Sequence, residues 1–409
     1  MRTFLLEFCM MKRIVVVGAS LAGLRAVETL RAEGYDGSLT LIGAEPRVPY
    51  DRPPLSKQVL TGEVEPDSVL LRPEADYADM DVDLILGRRA VELDVVARKV
   101  SLDGGGRLDF DGLLIATGST PRRLRGLPAL AGVHALRTVE DAVAIRDAMA
   151  AGARVVVIGA GFIGAEVASA ARARRLDVTV VEALPVPLTY ALGSEMGQLA
   201  APLLRDHGVD LRCGIGVESV TGADRVEAVR LADGTVVPAD LVVVGIGTEP
   251  ATDWLASSGL PTGGGLWCDA TCMVSGTEGI YAAGDVARWG HPRHGPIRIE
   301  HWTNAVEQAG AAARNMLLGP GSAVPFAPIP YFWSDQFGVK IQFVGLGGGA
   351  DEVRVVSGAP GDYRFTAYYG RVGRLVGCLG FSQPRMVMKA RRMIGDGIPF
   401  AEAVAAAAS

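Results

Sequence analysis

Two glycine clusters in this chain have the spacing that lets a backbone turn close over a pyrophosphate: Gly18-x-Ser20-x-x-Gly23 and Gly159-x-Gly161-x-x-Gly164. Each follows a β-branched run, 14–17 and 155–158, and each opens a stretch of apolar residues at helical spacing. A helix starting there aims its free N–H groups and the positive end of its dipole at the turn, which suits a phosphate anion. Gly18 permits the turn, and Gly23 lets the helix lie close on the strand. Ser20 stands where the second cluster has glycine, and its side chain is small enough for a close backbone approach. After a second apolar run an acid follows each cluster, Glu45 in the first case and Glu182 in the second. About 20 residues past the turn, a carboxylate accepts hydrogen bonds from ribose hydroxyls. Two further groups could touch a ligand: Lys57, held by the stiff Pro53-Pro54 before it, and Asp285 at the end of an apolar run. Asp285 reads either as an acceptor for a sugar-alcohol chain or as a cap for the segment after it. Lys57 reads either as a site cation or as a surface lysine.

The elements that must position these residues come in the same order twice. Strand, turn, helix, strand and acid recur with Gly159 standing 141 residues after Gly18, which reads as a duplication. The chain is therefore expected to be α/β, with two Rossmann-like dinucleotide-binding domains and two nucleotide cofactors. The loop 48–57 reads as extended, its prolines excluding helix, with Ser56 starting a short helix that holds Lys57. Strands are expected near 84–86, 99–102 and 113–116, with a hairpin turn at 103–106. The 113–116 strand ends at Thr117-Gly118, and a buried strand over 241–244 ends at Gly245-Ile246-Gly247. A helix follows Trp302 through Gln308, and the proline-rich 319–330 reads as a linker. Beyond it, strands at 342–344, 365–369 and 375–379 and a basic helix over 385–394 make a C-terminal α+β domain.

Composition excludes several classes. Forty Lys and Arg against 46 Asp and Glu leave a net charge of −6, so nothing indicates nucleic acid. No run of 18 apolar residues indicates a membrane span. Residues 4–11 read as a short tail rather than a signal segment, with Met10 or Met11 as the true start. Five cysteines, Cys9, Cys213, Cys268, Cys272 and Cys378, form no C-x-x-C pair and no metal site; they read as reduced thiols of a cytoplasmic enzyme.

Further motifs turn this outline into a family resemblance. Gly18-x-x-x-Ala22-Gly23, the Tyr50-Asp51-Arg52-Pro53-Pro54-Leu55-Ser56-Lys57 loop, Ala116-Thr117-Gly118, Gly159-x-Gly161-x-x-Gly164-x-Glu166, Gly284-Asp285, Glu300-x-Trp302 and Phe332-Trp333-Ser334-Asp335-Gln336 span almost the whole chain. In that order they resemble the FAD-dependent, NADH-using ferredoxin reductases of bacterial oxygenase systems. The glycine patterns are shared by many flavoenzymes; the loop and the 332–336 string are specific. The resemblance implies FAD on Gly18, Ser20, Ala22 and Gly23, with Glu45 on its ribose, Ala116, Thr117 and Gly118 beside it, and Asp285 on the ribityl chain. It puts Arg52, Lys57 and Trp302 near the flavin. NADH is implied on Gly159, Gly161, Gly164 and Gly247, with Glu182 on its ribose and Glu166 near the nicotinamide. Lys57, Glu166 and Trp302 are the catalytic candidates, and Lys57 would stabilise the anionic reduced ring. The implied domains are 10–118 with 248–325 for FAD, 119–247 for NAD and 326–409 as an interface domain.

Disulfide reductases of this layout carry C-x-x-x-x-C after the first unit, and residues 49–60 here hold no cysteine. Electrons are expected to leave the flavin singly, to a ferredoxin of the 2Fe-2S kind or a rubredoxin. Two alternatives stand beside this: an NADH oxidase or quinone reductase, and a partner-binding flavoprotein like the apoptosis-inducing factors. Arg385, Lys389 and Arg392 share one helical face and, with Trp333, form a candidate docking patch; the other reading is an ordinary solvated basic face. No base stands in 183–187, so NADH is expected over NADPH.

Overall fold

The computed structural model describes residues 11–124, 126 and 130–408; Cys9 and the tail 4–10 lie outside them. By packing, the chain divides into two compact units, one of residues 11–51, 70–120 and 249–328, the other of 52–69, 121–248 and 329–408.

The first unit is built on a five-stranded parallel sheet, in the order Ile280–Ala282, Gly112–Ile115, Arg13–Val17, Ser38–Ile42, Asp83–Ile85. Ile14 to Val17 are at most 3% exposed, as expected of a strand covered on both faces. The helices Leu21–Ala32 and Trp302–Leu318 pack along one another beside it. The second helix runs a further three turns past the expected end at Gln308. Ala309, Ala312 and Ala313 are fully buried there, and their small side chains allow the close helix contact that carries it on. The hairpin expected at 103–106 joins Lys99–Leu102 to Arg107–Asp109. The proline-rich stretch is not a slack linker up to Pro328. Trp289 Nε1 donates to Phe326 O at 3.2 Å, and Asn315 Nδ2 donates to Val324 O at 2.9 Å.

The second unit repeats the parallel sheet, in the order Val209–Cys213, Asp177–Glu182, Arg154–Ile158, Leu241–Val244, Val133–Ala135. It also holds the C-terminal antiparallel sheet, ordered Tyr331–Gln336, Val339–Gly345, Arg374–Phe381, Arg364–Arg371, Glu352–Ala359. Period-two alternation gives this sheet two buried faces. Ile341, Phe343, Phe365, Ala367 and Phe381 pack on Leu192, Met196 and Leu203 of the helix Thr189–Asp206. Val344, Tyr368 and Cys378 pack instead with Val387 and Ala390 of the helix Pro384–Asp396 and with Phe400. A further element departs from expectation. Residues Pro53–Ser56 form a 3-10 turn rather than extended chain, because proline is accepted in a first helical turn; Lys57 falls between that turn and the short helix Gln58–Thr61.

Among the described residues no helix is long and apolar enough to cross a membrane, and no group of three or more His, Cys, Asp or Glu is placed to hold a metal. Cys213, Cys268, Cys272 and Cys378 are free thiols. Burial pushes the Cys272 thiol up to about 12 and raises Cys268 and Cys378 as well, so these three stay protonated and unreactive.

Candidate active site

In the first unit the turn after Arg13–Val17 carries Gly18 at φ +118°, where an added Cβ would lie 2.2 Å from Ala116 O. Only glycine fits, because the turn crosses directly over the end of the next strand. Gly18 N–H donates to Ile42 O at 2.8 Å. Ser20 is the N-cap of Leu21–Ala32, with Ala22 and Gly23 buried in its first turn. Residues 18–20 remain partly exposed while the strand behind them is buried, which leaves the helix N-terminus open to an anion. Glu45 accepts a hydrogen bond from the Tyr50 hydroxyl. At the end of Gly112–Ile115, Ala116 is buried and Thr117 Oγ1 donates to Ala251 O at 2.9 Å, with Gly118 following. Asp285 sits in the one-turn Gly284–Val286 segment, where its Oδ2 accepts from Ser119 Oγ at 2.8 Å and Arg298 donates to its carbonyl at 3.0 Å. Gln308, fully buried, accepts from Gly284 N–H at 2.9 Å and so sets the direction of this turn. Trp302 Nε1 donates to Asp51 Oδ1 at 2.7 Å. Burial pushes the neighbouring His301 down to about 4, against a smaller opposing pull from Asp285, so it is neutral near pH 7.

In the second unit Gly159 has φ +102°, and an added Cβ would lie 2.3 Å from Gly245 O, the same crossing as at Gly18. Gly161 caps the helix Phe162–Ala173, and nothing lies within 4 Å of where its Cβ would be. Gly164 packs beneath, and Gly247 N-terminal to Thr248–Pro250 accepts from Arg122 N–H at 3.0 Å. Glu182 closes the site: its Oε2 accepts from Ala160 N–H at 2.7 Å and its Oε1 from Leu184 N–H at 2.9 Å. Each oxygen keeps a lone pair for a further donor. The open space at Gly161, the exposed helix N-terminus and the carboxylate fit a dinucleotide.

The same helix carries Glu166, 3% exposed, and three donors converge on it. Lys57 Nζ lies 2.9 Å from Oε2, the Ser56 hydroxyl donates to Oε2, and Ser334 Oγ donates to Oε1 at 2.6 Å. Lys57 also donates to Pro53 O at 3.2 Å, so the turn with its two prolines aims the ammonium. Lys57, expected at the flavin, and Glu166, expected at the nicotinamide, form one buried ion pair. Ser56, Ser334 and Gln336 were not singled out by residue type. Ser56 and Ser334 meet Glu166 across 110 and 168 residues, while Gln336 meets Ser334 two residues away; the usable signal is their place inside the two specific strings. Arg52 donates to Arg137 O. Trp333 stacks near Tyr331, on the strand face opposite Ser334. Arg385, Lys389 and Arg392 are all exposed, with Met388 among them, and Lys389 Nζ donates to Ala406 O at 2.8 Å.

Comparison with known proteins decides the family. Residues 12–309 match the model described as pyridine nucleotide-disulphide oxidoreductase, and residues 331–409 match the model described as reductase C-terminal. The chain belongs to the pyridine nucleotide-disulphide oxidoreductase family. Among family members, rhodocoxin reductase of Rhodococcus erythropolis is 39% identical over 390 residues, covering 94% of this chain and 90% of that protein. The biphenyl dioxygenase system ferredoxin–NAD(+) reductase component of Paraburkholderia xenovorans strain LB400 is 39% identical over 348 residues, covering 85% and 84%. Of solved structures, the covalent putidaredoxin reductase–putidaredoxin complex matches with a TM-score of 0.91 at 32% identity, over 97% of this chain and 99% of that one. The ferredoxin reductase for the CYP199A2 system of Rhodopseudomonas palustris matches with a TM-score of 0.88 at 33% identity, over 97% and 100%.

Proposed function

We propose that this chain is an FAD-dependent NADH:ferredoxin reductase that serves an oxygenase. The observation that carries the reading is the pairing of two dinucleotide turns with a buried Glu166–Lys57 ion pair in place of a redox cysteine pair. Relatives that align over nearly the full length are named as reductases of this kind, which supports it. Bound FAD supplies a two-electron acceptor that releases electrons one at a time. The chain's residues do the positioning. Gly18, Ser20, Ala22 and Gly23 hold the FAD pyrophosphate and Glu45 its ribose, with Ala116, Thr117, Gly118, Arg52 and Asp285 as further contacts. Trp302, held by Asp51, is proposed at the ring. Gly159, Gly161, Gly164 and Gly247 cradle NADH, and Glu182 takes the adenosine ribose. Glu166 orients the nicotinamide, and Lys57 supplies the cation that favours the reduced flavin. The proposed domains are 10–118 with 248–325 for FAD, 119–247 for NAD and 326–409 for the interface, and the proposed setting is the cytoplasm, where NADH and reduced thiols are found.

The partner is an acidic iron–sulfur protein. The whole chain is acidic as well, so attraction is local, and we assign it to Arg385, Lys389 and Arg392 with Trp333 nearby. Steering of this kind acts on the on-rate and fades beyond about 8–10 Å at physiological salt. The test is NADH-driven reduction of an added 2Fe-2S ferredoxin by the FAD-loaded protein. Ferredoxin reduction falls steeply between 50 and about 300 mM salt, while ferricyanide reduction changes little. Charge reversal at the three positions raises the KM for ferredoxin several-fold and spares ferricyanide. Rapid oxygen or quinone reduction with no transfer to ferredoxin would overturn the reading.

A further inference from the structure

The helix Phe162–Ala173 and the strand Tyr331–Gln336 with its following turn meet at three successive points. Phe162 packs on Phe332 with ring centroids 4.9 Å apart, Glu166 Oε1 accepts from Ser334 at 2.6 Å, and Ser169 Oγ accepts from Phe337 N–H at 2.8 Å. Positions 162, 166 and 169 share one helix face. Ser334 is fully buried and Gln336 is 1% exposed. Gln336 Nε2 donates into Ser334 Oγ at 3.0 Å, which commits the hydroxyl proton to Glu166. Among the described residues, Gln336 Oε1 is the atom of this relay that is buried with no hydrogen-bond partner. A buried amide oxygen left so is costly, and a site keeps it where the amide's other end has a required direction.

We infer that Ser334 and Gln336 are positioning residues for hydride transfer: the C-terminal strand holds Glu166 by one oxygen so that the other stays on Lys57 and Ser56. The inference rests on the functional reading above and adds to it that the C-terminal segment reaches the NADH-facing acid. Without Ser334, more of the carboxylate charge falls on Lys57 and cancels the ammonium more fully. The flavin midpoint potential then drops, and NADH reduces the flavin more slowly. Gln336 acts only through Ser334, so its removal has no effect once Ser334 is gone.

The test is a double-mutant cycle with Ser334→Ala and Gln336→Met in FAD-loaded protein, with two readouts: stopped-flow flavin reduction by NADH, and the midpoint potential by dye equilibration. The expected result is about tenfold slower reduction in Ser334→Ala, a hydrogen bond to a charged group being lost. Gln336→Met is slowed less, and the double variant no more than Ser334→Ala. The potential falls in step, with FAD content unchanged. Wild-type rates and potential in Ser334→Ala, or additive effects in the double variant, would overturn the inference while leaving the reductase reading in place. A wild-type protein whose flavin NADH does not reduce would overturn the reading itself.

Discussion

The two glycine turns use one backbone for two duties, and the residues one helical turn later show how. Both turns cross a neighbouring strand at a distance that only glycine permits, Gly18 over Ala116 and Gly159 over Gly245. Two residues past the last glycine the units diverge. Arg25 in the first unit is paired with Glu28, and Glu28 is also bound by Arg72. Glu166 at the matching place in the second unit is a buried carboxylate facing a lysine and two serines. The acids differ too. Glu45 lies three residues past its strand and accepts from a tyrosine, whereas Glu182 ends its strand and accepts from two backbone N–H groups. An ion-pair chain of structural side chains, Arg25–Glu28–Arg72–Asp76, suits a unit that keeps its ligand. A buried acid with a redirected partner suits a unit whose ligand comes and goes with every turnover.

The largest test of this contrast puts the same substitution in both turns. Gly18→Ala and Gly159→Ala force about 1–2 kcal/mol of backbone strain each plus steric overlap. Gly18→Ala is expected to purify without flavin absorbance. Gly159→Ala is expected to keep the flavin and lose NADH reduction by about 100-fold, a barrier increase of about 2.7 kcal/mol. Loss of flavin in both variants would erase the distinction.

Next in size are the two halves of the ion pair. Glu166→Gln should slow flavin reduction by NADH about 30- to 100-fold at unchanged FAD content. Lys57→Met should also lower the flavin midpoint potential, if Lys57 is the cation proposed to favour the reduced flavin. Stopped-flow and dye-equilibration measurements on both would show a misplaced site if either variant behaved as wild type.

Much of this was legible beforehand. Both sheets, both turns, both acids and the basic helix follow from β-branched runs, glycine spacing and charge. What was not legible has a physical reason. Ser56, Glu166 and Ser334 are brought together from three separate stretches, and residue type cannot say which hydroxyl meets which acid. The 3-10 turn at Pro53–Ser56 was missed because two prolines argue against an α-helix yet suit a single tight turn. The helix continues to Leu318 because the small residues just past Gln308, Ala309 to Ala313, pack closely, which their polarity alone does not announce.

A smaller effect concerns the acid of the second turn. NADH is expected over NADPH by about 100-fold in kcat/KM, because a 2′-phosphate would meet the Glu182 carboxylate. Glu182→Ala alone also strips two backbone N–H groups of their acceptor, so it should weaken both nucleotides. Adding Ala183→Arg should recover NADPH and narrow the gap about tenfold. A wild-type preference for NADPH would break the assignment of Glu182.

The smallest expected effect separates the units by pH. His301 has its Nδ1 out of reach of solvent, and burial pushes its pKa from 6.5 to about 4. Between those values the unfolded chain takes up a proton that the folded chain refuses, so stability is lost as pH falls from 6.5 towards 4. The slope stays below the ceiling of about 1.4 kcal/mol per pH unit for one site, because the folded and unfolded titrations overlap. His301→Gln should flatten the decline of Tm over that window, as read by calorimetry. An unchanged decline would place the acid sensitivity elsewhere.

The C-terminal sheet has a consequence for how the protein is made. Leu192, Met196 and Leu203 leave the ribosome long before Phe343, Phe365 and Phe381 exist to cover them. A nascent chain that has finished its second Rossmann unit therefore carries a greasy stripe along the helix Thr189–Asp206, and chaperones are its natural cover until the last strands arrive. Glu166 has no Ser334 over the same interval. Limited proteolysis of a chain released at residue 330 should cut along that helix. The buried network around Glu166 is thus completed last, once residues 331–409 are made.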